Sequence, residues 1–311
     1  MKKNILVTGA LGHIGSKLIR YLPKYIDGNF ILIDNFYAER YCSLFNLPNN
    51  VSYEFYDFDI NKVNLNNFIK KKIDIVIHLA AFTDAAKSLE NKKKYLENNL
   101  GITKKILEFC KKKRARLIYI SSTSIYGTQK KIVNENCRID DLKPQSPYAI
   151  SKFEEEKLIN KYDKKYKLKN TILRFGTIFG VSEGMRFHTA VNKFCYQASM
   201  KQKITVWKTA LYQKRPYLDL IDAVRSILFV IENNLFDGEI YNVLTHNLTV
   251  NDIVLEIKKK YIKQKIKFVN SPIMNQLSYE VSTKKFLNEG FVYKGDISKG
   301  IMKTLKLLEL K

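Results

Sequence analysis

The sequence predicts an α/β protein in which a doubly wound parallel sheet is joined to a smaller C-terminal α/β lobe. Two observations support this fold class. Short apolar runs, typical of buried parallel strands, alternate with helical patterns over residues 1–180. The first run ends in three closely spaced glycines, Gly9, Gly12 and Gly15, just before a helical pattern begins. With 311 residues, 45% of them apolar, the chain can bury the large core that such a fold needs.

The glycine turn predicts a phosphate-binding site. Residues 5–7 have the pattern of a buried strand, and apolar residues recur at helical spacing from Ile14 onward. Glycines at the turn let backbone N–H groups approach a diphosphate at the helix N-terminus, because a Cβ would block that approach or the packing of helix on strand. We therefore predict a Rossmann-type dinucleotide site and assign to it Gly9, Leu11, Gly12, His13, Ile14 and Gly15.

The second apolar run predicts which dinucleotide is bound. Residues 30–33 are apolar and end at Asp34, about twenty residues past the glycines, where a carboxylate can accept both hydroxyls of an adenosine ribose. The same carboxylate would repel a 2′-phosphate. The nearest basic residue, Arg40, lies six positions further on, so the sequence favours NAD over NADP. Asn35, which follows the carboxylate, is assigned to the same site.

The third predicted strand, residues 51–56, leads to a second carboxylate at the same sheet edge. Asp59 could reach the adenine amino group, and we assign it to the cofactor site together with Ile60. A helix cap for the segment that starts near Asn61 is the alternative role for Asp59.

The fourth predicted strand, within residues 73–81, ends in small side chains that leave room for a cofactor where a parallel sheet opens its ligand crevice. A long helix is predicted over residues 88–112, with Asn98 and Asn99 near its middle. We favour Asn99 as the side chain that faces the sheet and braces the site; an exposed polar position is the alternative. The cofactor residues from this region are Leu79, Ala80, Ala81 and Asn99.

The fifth predicted strand, residues 117–120, delivers a run of hydroxyl side chains to the same crevice, at positions 121–124. A helix predicted over residues 148–166 then opens with Tyr148 and Lys152, which lie on one helical face because they are four residues apart. The position of the pair, more than its spacing, makes it a candidate site, since the start of this helix points at that crevice.

Composition argues against several other functions. The net charge is +24, but only nine of the 54 basic residues are arginines and the lysine runs fall near predicted helix ends, so we predict no nucleic-acid partner. No apolar run reaches membrane-spanning length and no hydrophobic leader precedes the first strand, so we expect a cytoplasmic protein without a membrane partner. The four cysteines have no paired spacing, so we expect neither a metal site nor disulfides.

Together these stretches resemble the extended short-chain dehydrogenases/reductases, specifically the NAD-dependent epimerase/dehydratase family that acts on nucleotide sugars. The resemblance is strong over residues 1–180 and weaker beyond, where Arg215, Pro216, Tyr217 and Asp222 match. It implies NAD as the cofactor and Ser122, Tyr148 and Lys152 as the catalytic set. The matching stretches occur in family order at residues 8–15, 34, 59–60, 78–81, 121–127, 146–152 and 173–180.

The chemistry of these side chains supports the implied roles. An unperturbed tyrosine hydroxyl titrates near pH 10, which is too high for a base at neutrality, and a nearby ammonium and the positive nicotinamide would stabilise its phenolate. Tyr148 would then take the hydroxyl proton of the sugar. Lys152 would also hold the nicotinamide ribose, and Ser122 would hydrogen-bond the reacting oxygen.

The resemblance also indicates the reaction outcome. Members that eliminate water resemble one another in an Asp-Glu pair where this chain has Thr123 and Ser124, and decarboxylating members have a glutamate in place of Ser124. We therefore predict an epimerase that oxidises the sugar transiently to a ketone and reduces it on the opposite face. The alternatives are an NAD(P)-dependent nucleotide-sugar reductase or dehydrogenase, a 4,6-dehydratase-like enzyme, and a catalytically idle scaffold.

The predicted domains are an NAD-binding domain over residues 1–180, to which 218–240 return, and a substrate lobe formed by 181–217 and 241–311. The predicted partner is a nucleoside-diphosphate sugar, and the resemblance implies a homodimer formed by the helices at 88–112 and 148–166. The predicted substrate-binding residues are Thr83, Ser122, Thr123, Ser124, Thr177, Arg186, Asn192 and Arg215.

One departure from the family concerns the substrate diphosphate. Arg215 is the best predicted ligand, because a planar guanidinium can grip two phosphate oxygens. Relatives commonly add a second arginine late in the chain, but no arginine follows Arg225 here. Either a lysine such as Lys284 replaces it, or the substrate is not a standard nucleoside-diphosphate sugar.

Overall fold

The computed structural model describes residues 2–127, 132–270 and 278–309. The strands in these ranges are β1 (Lys3–Thr8), β2 (Gly28–Asp34), β3 (Ser52–Asp57), β4 (Ile75–His78), β5 (Arg116–Ser122), β6 (Ile132–Val133), β7 (Asn170–Phe175), β8 (Thr177–Phe179), β9 (Ile204–Trp207), β10 (Lys214–Asp219), β11 (Ile240–Val243), β12 (His246–Thr249), β13 (Ile266–Val269) and β14 (Glu280–Val281). The α-helices there are α1 (His13–Tyr21), α2 (Leu65–Phe68), α3 (Lys92–Lys113), α4 (Pro147–Tyr166), α5 (Ala190–Ser199), α6 (Leu220–Glu232), α7 (Val250–Lys258), α8 (Lys284–Asn288) and α9 (Ile297–Leu307).

The main sheet has seven parallel strands in the order β11-β7-β5-β4-β1-β2-β3. Successive residues of β1 point to opposite faces, so Ile5 packs with α1 and α6 on one face and Leu6 packs with α3 and α4 on the other. Both faces are covered by helices, which confirms the predicted doubly wound, Rossmann-type sheet. The strand order reverses between β1 and β4, and this is the point where such sheets open a ligand crevice.

The two long helices next to the crevice begin at capping residues. Helix α3 begins at Lys92, four residues later than predicted, because the Asn91 side chain accepts the N–H of Lys94 while residues 87–89 form a separate 3₁₀ turn. Helix α4 begins at Pro147, where the Ser146 side chain accepts the N–H of Ala149. Among the helices of the described ranges, none combines the length and apolar character needed to cross a bilayer.

A smaller three-stranded sheet and three helices, here called the second layer, lie beside the main sheet. Strand β10 lies between β8, to which it is parallel, and β12, to which it is antiparallel. Helices α5, α7 and α9 pack around a separate apolar core that includes Phe194, Ile253 and Ile301. Strand β11 pairs with β7, so residues 241–243, which the predicted division gives to the substrate lobe, lie in the main sheet.

Candidate active site

The glycine turn after β1 has the close backbone approaches that were predicted for it. Gly9 has a φ of +64°, and a Cβ there would lie 2.8 Å from the backbone nitrogen of Ala80. A Cβ on Gly15 would lie 2.6 Å from the carbonyl oxygen of Ala10. Side chains are therefore excluded from the surface where α1 begins, which leaves a backbone cradle that suits a diphosphate.

A first cavity, here called the dinucleotide cavity, lies over this turn at the carboxyl ends of β1, β2 and β4. Twelve of the predicted cofactor residues line it together, which fits a dinucleotide: Gly9, Leu11, Gly12, His13, Ile14, Gly15, Asp34, Asn35, Ile60, Leu79, Ala80 and Ala81.

Asp34 ends β2 at the rim of the dinucleotide cavity. Its Oδ2 accepts a hydrogen bond from Leu11 N at 3.0 Å, and its Oδ1 accepts one from Phe36 N at 3.1 Å. Burial raises the pKa of this carboxyl, while the two backbone donors and nearby Arg40 oppose the rise. Arg40 itself lines the cavity, so the six-residue spacing does not keep it away from the cofactor site as the sequence argument assumed.

Four predicted cofactor residues do not line the dinucleotide cavity: Tyr148 and Lys152 line the adjoining cavity described below, and Asp59 and Asn99 line neither of the two. Asp59 accepts a hydrogen bond from Asn61 N at 2.9 Å and caps the 3₁₀ turn that follows, which is its alternative role. Asn99 is fully buried, accepts from Phe82 N at 2.8 Å and donates to Ser151 Oγ at 3.0 Å. Asn99 thus braces the loop after β4 against α4 from behind the cavity.

A second cavity of about 430 Å³, here called the substrate cavity, adjoins the first. Its volume is in the range typical of small-molecule sites. It contains Ser122 at the end of β5 together with Tyr148 and Lys152 from the first turns of α4. The structure therefore brings the three predicted catalytic side chains to one cavity. The two cavities are continuous, because they share five lining residues: Ile14, Leu79, Ala81, Thr83 and Arg186.

Hydrogen bonds fix the walls of the substrate cavity around the catalytic set. Ser122 Oγ accepts from the backbone nitrogen of Ser124 at 3.2 Å and from its hydroxyl at 2.9 Å. Lys152 is 4% exposed, and its Nζ donates to Tyr119 Oη at 3.0 Å. The backbone nitrogen of Tyr148 donates to Ser88 Oγ at 3.3 Å.

Arg186 lies at the junction of the two cavities. Its Nη1 donates to Thr83 Oγ1 at 2.6 Å, and its Nε is buried without a hydrogen-bond partner among the described residues. Asn192 lines neither cavity. Its amide accepts from Gly180 N at 3.2 Å and donates to the carbonyl of Arg186 at 3.0 Å, so it holds the arginine-bearing loop from behind.

Two further cationic side chains line the substrate cavity. Arg215, from β10, places its guanidinium 5.3 Å from the ring centre of Tyr279. Lys193, from α5, lines the same cavity, whereas Lys284 is exposed at the start of α8 and is not part of its wall. Thr123, Ser124 and Thr177, three further predicted substrate residues, also line this cavity.

Sequence reasoning missed several residues that line the two cavities. Tyr37 and Arg40 come from residues 35–50, which have little periodicity and so gave no sign of where the chain folds back. Asn98, the neighbour of Asn99, lines the dinucleotide cavity. The residues missed in the substrate cavity include Asp84, Lys193, Trp207 and Tyr279, of which only the single tryptophan stood out by residue type.

Fold and site together define a class: a Rossmann-type enzyme whose dinucleotide cavity adjoins a substrate cavity with a Ser-Tyr-Lys set. The sequence model of the NAD dependent epimerase/dehydratase family matches residues 5–243. The chain belongs to this family, whose members are enzymes and whose cofactor is NAD.

Two relatives show the range of activities near this chain. The dTDP-D-glucose 4,6-dehydratase of Dictyostelium discoideum is 32% identical over 277 residues, and the match covers 84% of this chain but only 62% of that protein. The ADP-L-glycero-D-manno-heptose-6-epimerase of Brachyspira hyodysenteriae is 27% identical, with coverage of 92% and 90%. The chain thus spans less than two thirds of the first of these relatives.

A solved structure matches almost the whole chain. The UDP-glucuronic acid 4-epimerase of Bacillus cereus, in complex with UDP-glucuronic acid and NAD, is 26% identical with a TM-score of 0.87. The match covers 98% of each chain.

Proposed function

We propose that this chain is an NAD-dependent nucleotide-sugar epimerase that works by transient oxidation to a keto-sugar and reduction on the opposite face. The observation that carries the proposal is the meeting of Ser122, Tyr148 and Lys152 in a cavity continuous with the one over the glycine turn. When bound, NAD supplies a nicotinamide ring that accepts a hydride and returns it. The solved Bacillus cereus epimerase with NAD supports the same assignment.

Each of the three side chains has a role that its position supports. Tyr148 takes the proton of the sugar hydroxyl and later returns it. The ammonium of Lys152, on the same face of α4 one turn away, stabilises the phenolate. Ser122 ends β5 with its hydroxyl already bonded to Ser124, and it hydrogen-bonds the reacting oxygen as that oxygen changes between alcohol and ketone.

The charges of the substrate cavity favour epimerisation over dehydration. Eliminating water calls for an acid and a base beside the sugar, and positions 123 and 124 hold a threonine and a serine. Asp84 is the one carboxylate among the described residues of this cavity, and its Oδ1 already accepts the backbone N–H groups of Ala86 and Lys87. The alternative that the charges leave open is a reductase or dehydrogenase that exchanges its cofactor.

Two cations of the substrate cavity suit the diphosphate of a nucleotide sugar. Arg215 supplies a planar guanidinium held against Tyr279, and Lys193 supplies a second positive charge from α5. We propose that Lys193 takes the place of the second arginine found in relatives. A nucleoside-diphosphate sugar then binds with its phosphates here and its sugar beside Tyr148.

The experiment divides the purified protein into two samples. Bound NAD is extracted from the first and quantified. The second is incubated as purified with UDP-glucose, UDP-N-acetylglucosamine and UDP-glucuronic acid, without added reductant. The proposal expects retained NAD and conversion of at least one nucleotide sugar to its epimer, detected by chromatography and NMR. A requirement for stoichiometric NADH or NADPH would instead support the reductase. Loss of water from the product would support a dehydratase.

The homodimer and the cytoplasmic location also stay proposals. Helices α3 and α4, which pack against each other beside the crevice, are the surfaces proposed to meet. Sedimentation analysis of the purified chain tests the dimer, and a monomer at micromolar concentration contradicts it.

A further inference from the structure

A chain of buried polar side chains runs below the substrate cavity from β1 toward α4. Thr8 Oγ1 accepts hydrogen bonds from the backbone nitrogens of Leu79 and Ala80, each at 3.2 Å, so its own proton points to His78 Nδ1, 2.7 Å away. Burial lowers the pKa of His78 to about 3, so the ring is neutral and carries its proton on Nε2.

The direction of these hydrogen bonds continues to a buried glutamate. Nε2 of His78 donates to Thr103 Oγ1 at 3.1 Å, and the Thr103 hydroxyl donates to Oε2 of Glu155 at 2.6 Å. Every proton in this series of hydrogen bonds therefore points toward Glu155, which is the final acceptor. A carboxylate is the group that such a terminus suits best.

Glu155 also faces the catalytic lysine. It is fully buried, and its Oε2 lies 3.6 Å from Nζ of Lys152. Its other oxygen, Oε1, has no hydrogen-bond partner among the described residues. The neighbouring Glu156 differs, because both of its carboxylate oxygens accept hydrogen bonds from Arg174, at 3.0 and 2.7 Å, in a bidentate ion pair. Glu155 thus faces the catalytic ammonium with the oxygen that also accepts from Thr103, and among the described residues its carboxylate is not paired with a second cation as that of Glu156 is.

Several other titratable or charged groups surround this pair or line the cavity above it. They come from β4, β5, β7, α4 and the loops above the cavity, and they are His78, Asp84, Tyr119, Glu156, Arg174, Arg186 and His188.

Most of these groups do not change the balance of charge at the phenol of Tyr148. Burial and the nearby Glu155 hold the pKa of Tyr119 well above its usual range, so this phenol stays neutral. Burial lowers the pKa of His188 to about 4, so this ring is neutral at physiological pH. The cation of Arg186 lies near Tyr148 and acts in the same direction as the ammonium of α4.

We propose that Glu155 is a positioning residue: its carboxylate fixes the ammonium of Lys152 and partly cancels its charge, which raises the pH at which Tyr148 gives up its proton. The ammonium favours a phenolate, and a carboxylate bound to that ammonium weakens the effect. The inference rests on the proposed catalytic role of Tyr148. Replacing the carboxylate by a neutral amide leaves the ammonium unopposed and makes the phenolate easier to form.

The test is an ultraviolet difference titration of the NAD-loaded full chain, as wild type and as Glu155→Gln. Subtracting the same titration of the matching Tyr148→Phe protein isolates the ionisation of this one phenol. The midpoint is expected to fall by about one pH unit in Glu155→Gln. The acidic limb of the kcat/KM profile is expected to move in the same direction. Because the titration needs no turnover, an inactive wild type contradicts the proposed function without deciding the role of Glu155.

Glu154→Gln is the matched control. Glu154 precedes Glu155 on the same helix, but it is half-exposed and pairs with Lys157 at 2.8 Å, so its loss is expected to leave the midpoint unchanged. An unchanged midpoint in Glu155→Gln, or an equal fall in Glu154→Gln, overturns the proposal. If Glu155→Gln does not fold, Thr103→Val replaces it. That variant keeps the carboxylate but removes its donor, so the midpoint is expected to rise, and no rise overturns the proposal.

Discussion

Arg186 donates a hydrogen bond of 2.6 Å to Thr83 at the junction where the dinucleotide cavity meets the substrate cavity. The arginine comes from the loop before α5 and the threonine from the loop after β4, so one contact ties the second layer to the main sheet. The buried Nε of the same guanidinium has no hydrogen-bond partner among the described residues. The contact therefore places a cation where a bound sugar and the nicotinamide end of NAD would meet.

Replacing Arg186 by lysine tests this placement. Lysine keeps the charge but lacks the planar fork that reaches Thr83, so we expect KM for the nucleotide sugar to rise about tenfold with a smaller change in kcat. Steady-state kinetics measures both. Arg138→Lys is the control, because Arg138 is exposed and forms a long surface ion pair with Asp140, at 3.9 Å. Equal kinetics for Arg186→Lys and wild type would show that the junction contact does not matter for substrate binding.

Gly15→Ala tests the backbone cradle. The added Cβ would lie 2.6 Å from the carbonyl oxygen of Ala10, so the turn must shift and we expect NAD affinity to fall at least about tenfold. Calorimetric titration of the NAD-free protein measures it. Gly290→Ala is the control. Its φ of +95° strains the backbone of an alanine, but no atom lies within 4 Å of the added Cβ. This variant is expected to lose stability while it keeps NAD affinity, and a parallel loss of affinity would contradict the account.

The buried ion pair between Arg174 and Glu156 predicts an asymmetric response to mutation. Both side chains are 3% exposed, so Arg174→Met leaves an unpaired buried carboxylate and is expected to cost about 3–5 kcal/mol in the free energy of unfolding. Adding Glu156→Met should recover most of that loss, because it removes the stranded charge. Urea unfolding of the two variants measures both effects, and a double mutant no more stable than Arg174→Met contradicts the prediction.

Two buried histidines predict acid sensitivity. Burial lowers the pKa of His13 and of His78 to about 3, whereas the unfolded chain takes up these protons near pH 6.5. The unfolded state therefore binds more protons below pH 6.5, so the stability is fully present above that pH and is lost as pH falls toward 3. At pH 5 we expect a loss of about 2 kcal/mol for each histidine.

Urea unfolding between pH 8 and pH 5 measures this loss, and His78→Gln should reduce it by about 2 kcal/mol. His246→Gln, at a half-buried position on β12, is the control and should leave the dependence unchanged. A stability that does not change over this pH range contradicts the account.

The sequence predicted the fold, and most of the residues that line the two cavities, because both depend on where buried strands end. Apolar runs that end in glycines, in Asp34 or in Ser122 belong to parallel strands, whose carboxyl ends meet at one sheet edge. This geometry brought the dinucleotide residues together and placed the Ser-Tyr-Lys set in the adjoining cavity.

Other positions could not be placed because their roles depend on tertiary packing. Asn192 lies on an amphipathic helix, and only the fold shows that its amide faces Gly180 and not the cavity. Asp59 has the same side chain whether it caps a turn or meets a cofactor, and only the fold shows that its Oδ1 accepts the N–H of Asn61. Residues 154–156 look like a solvated run of glutamates, yet the packing of α4 against α3 and the sheet buries two of the three.

The most direct test of the central claim is the effect of Tyr148→Phe on turnover and on NAD retention, measured on the same preparations. Removing the hydroxyl removes the acid–base group and little else, so we predict that epimerisation falls at least about a thousandfold while bound NAD stays within twofold of wild type. Tyr212→Phe, at an exposed position, should behave as wild type. Undiminished epimerisation by Tyr148→Phe would contradict the account.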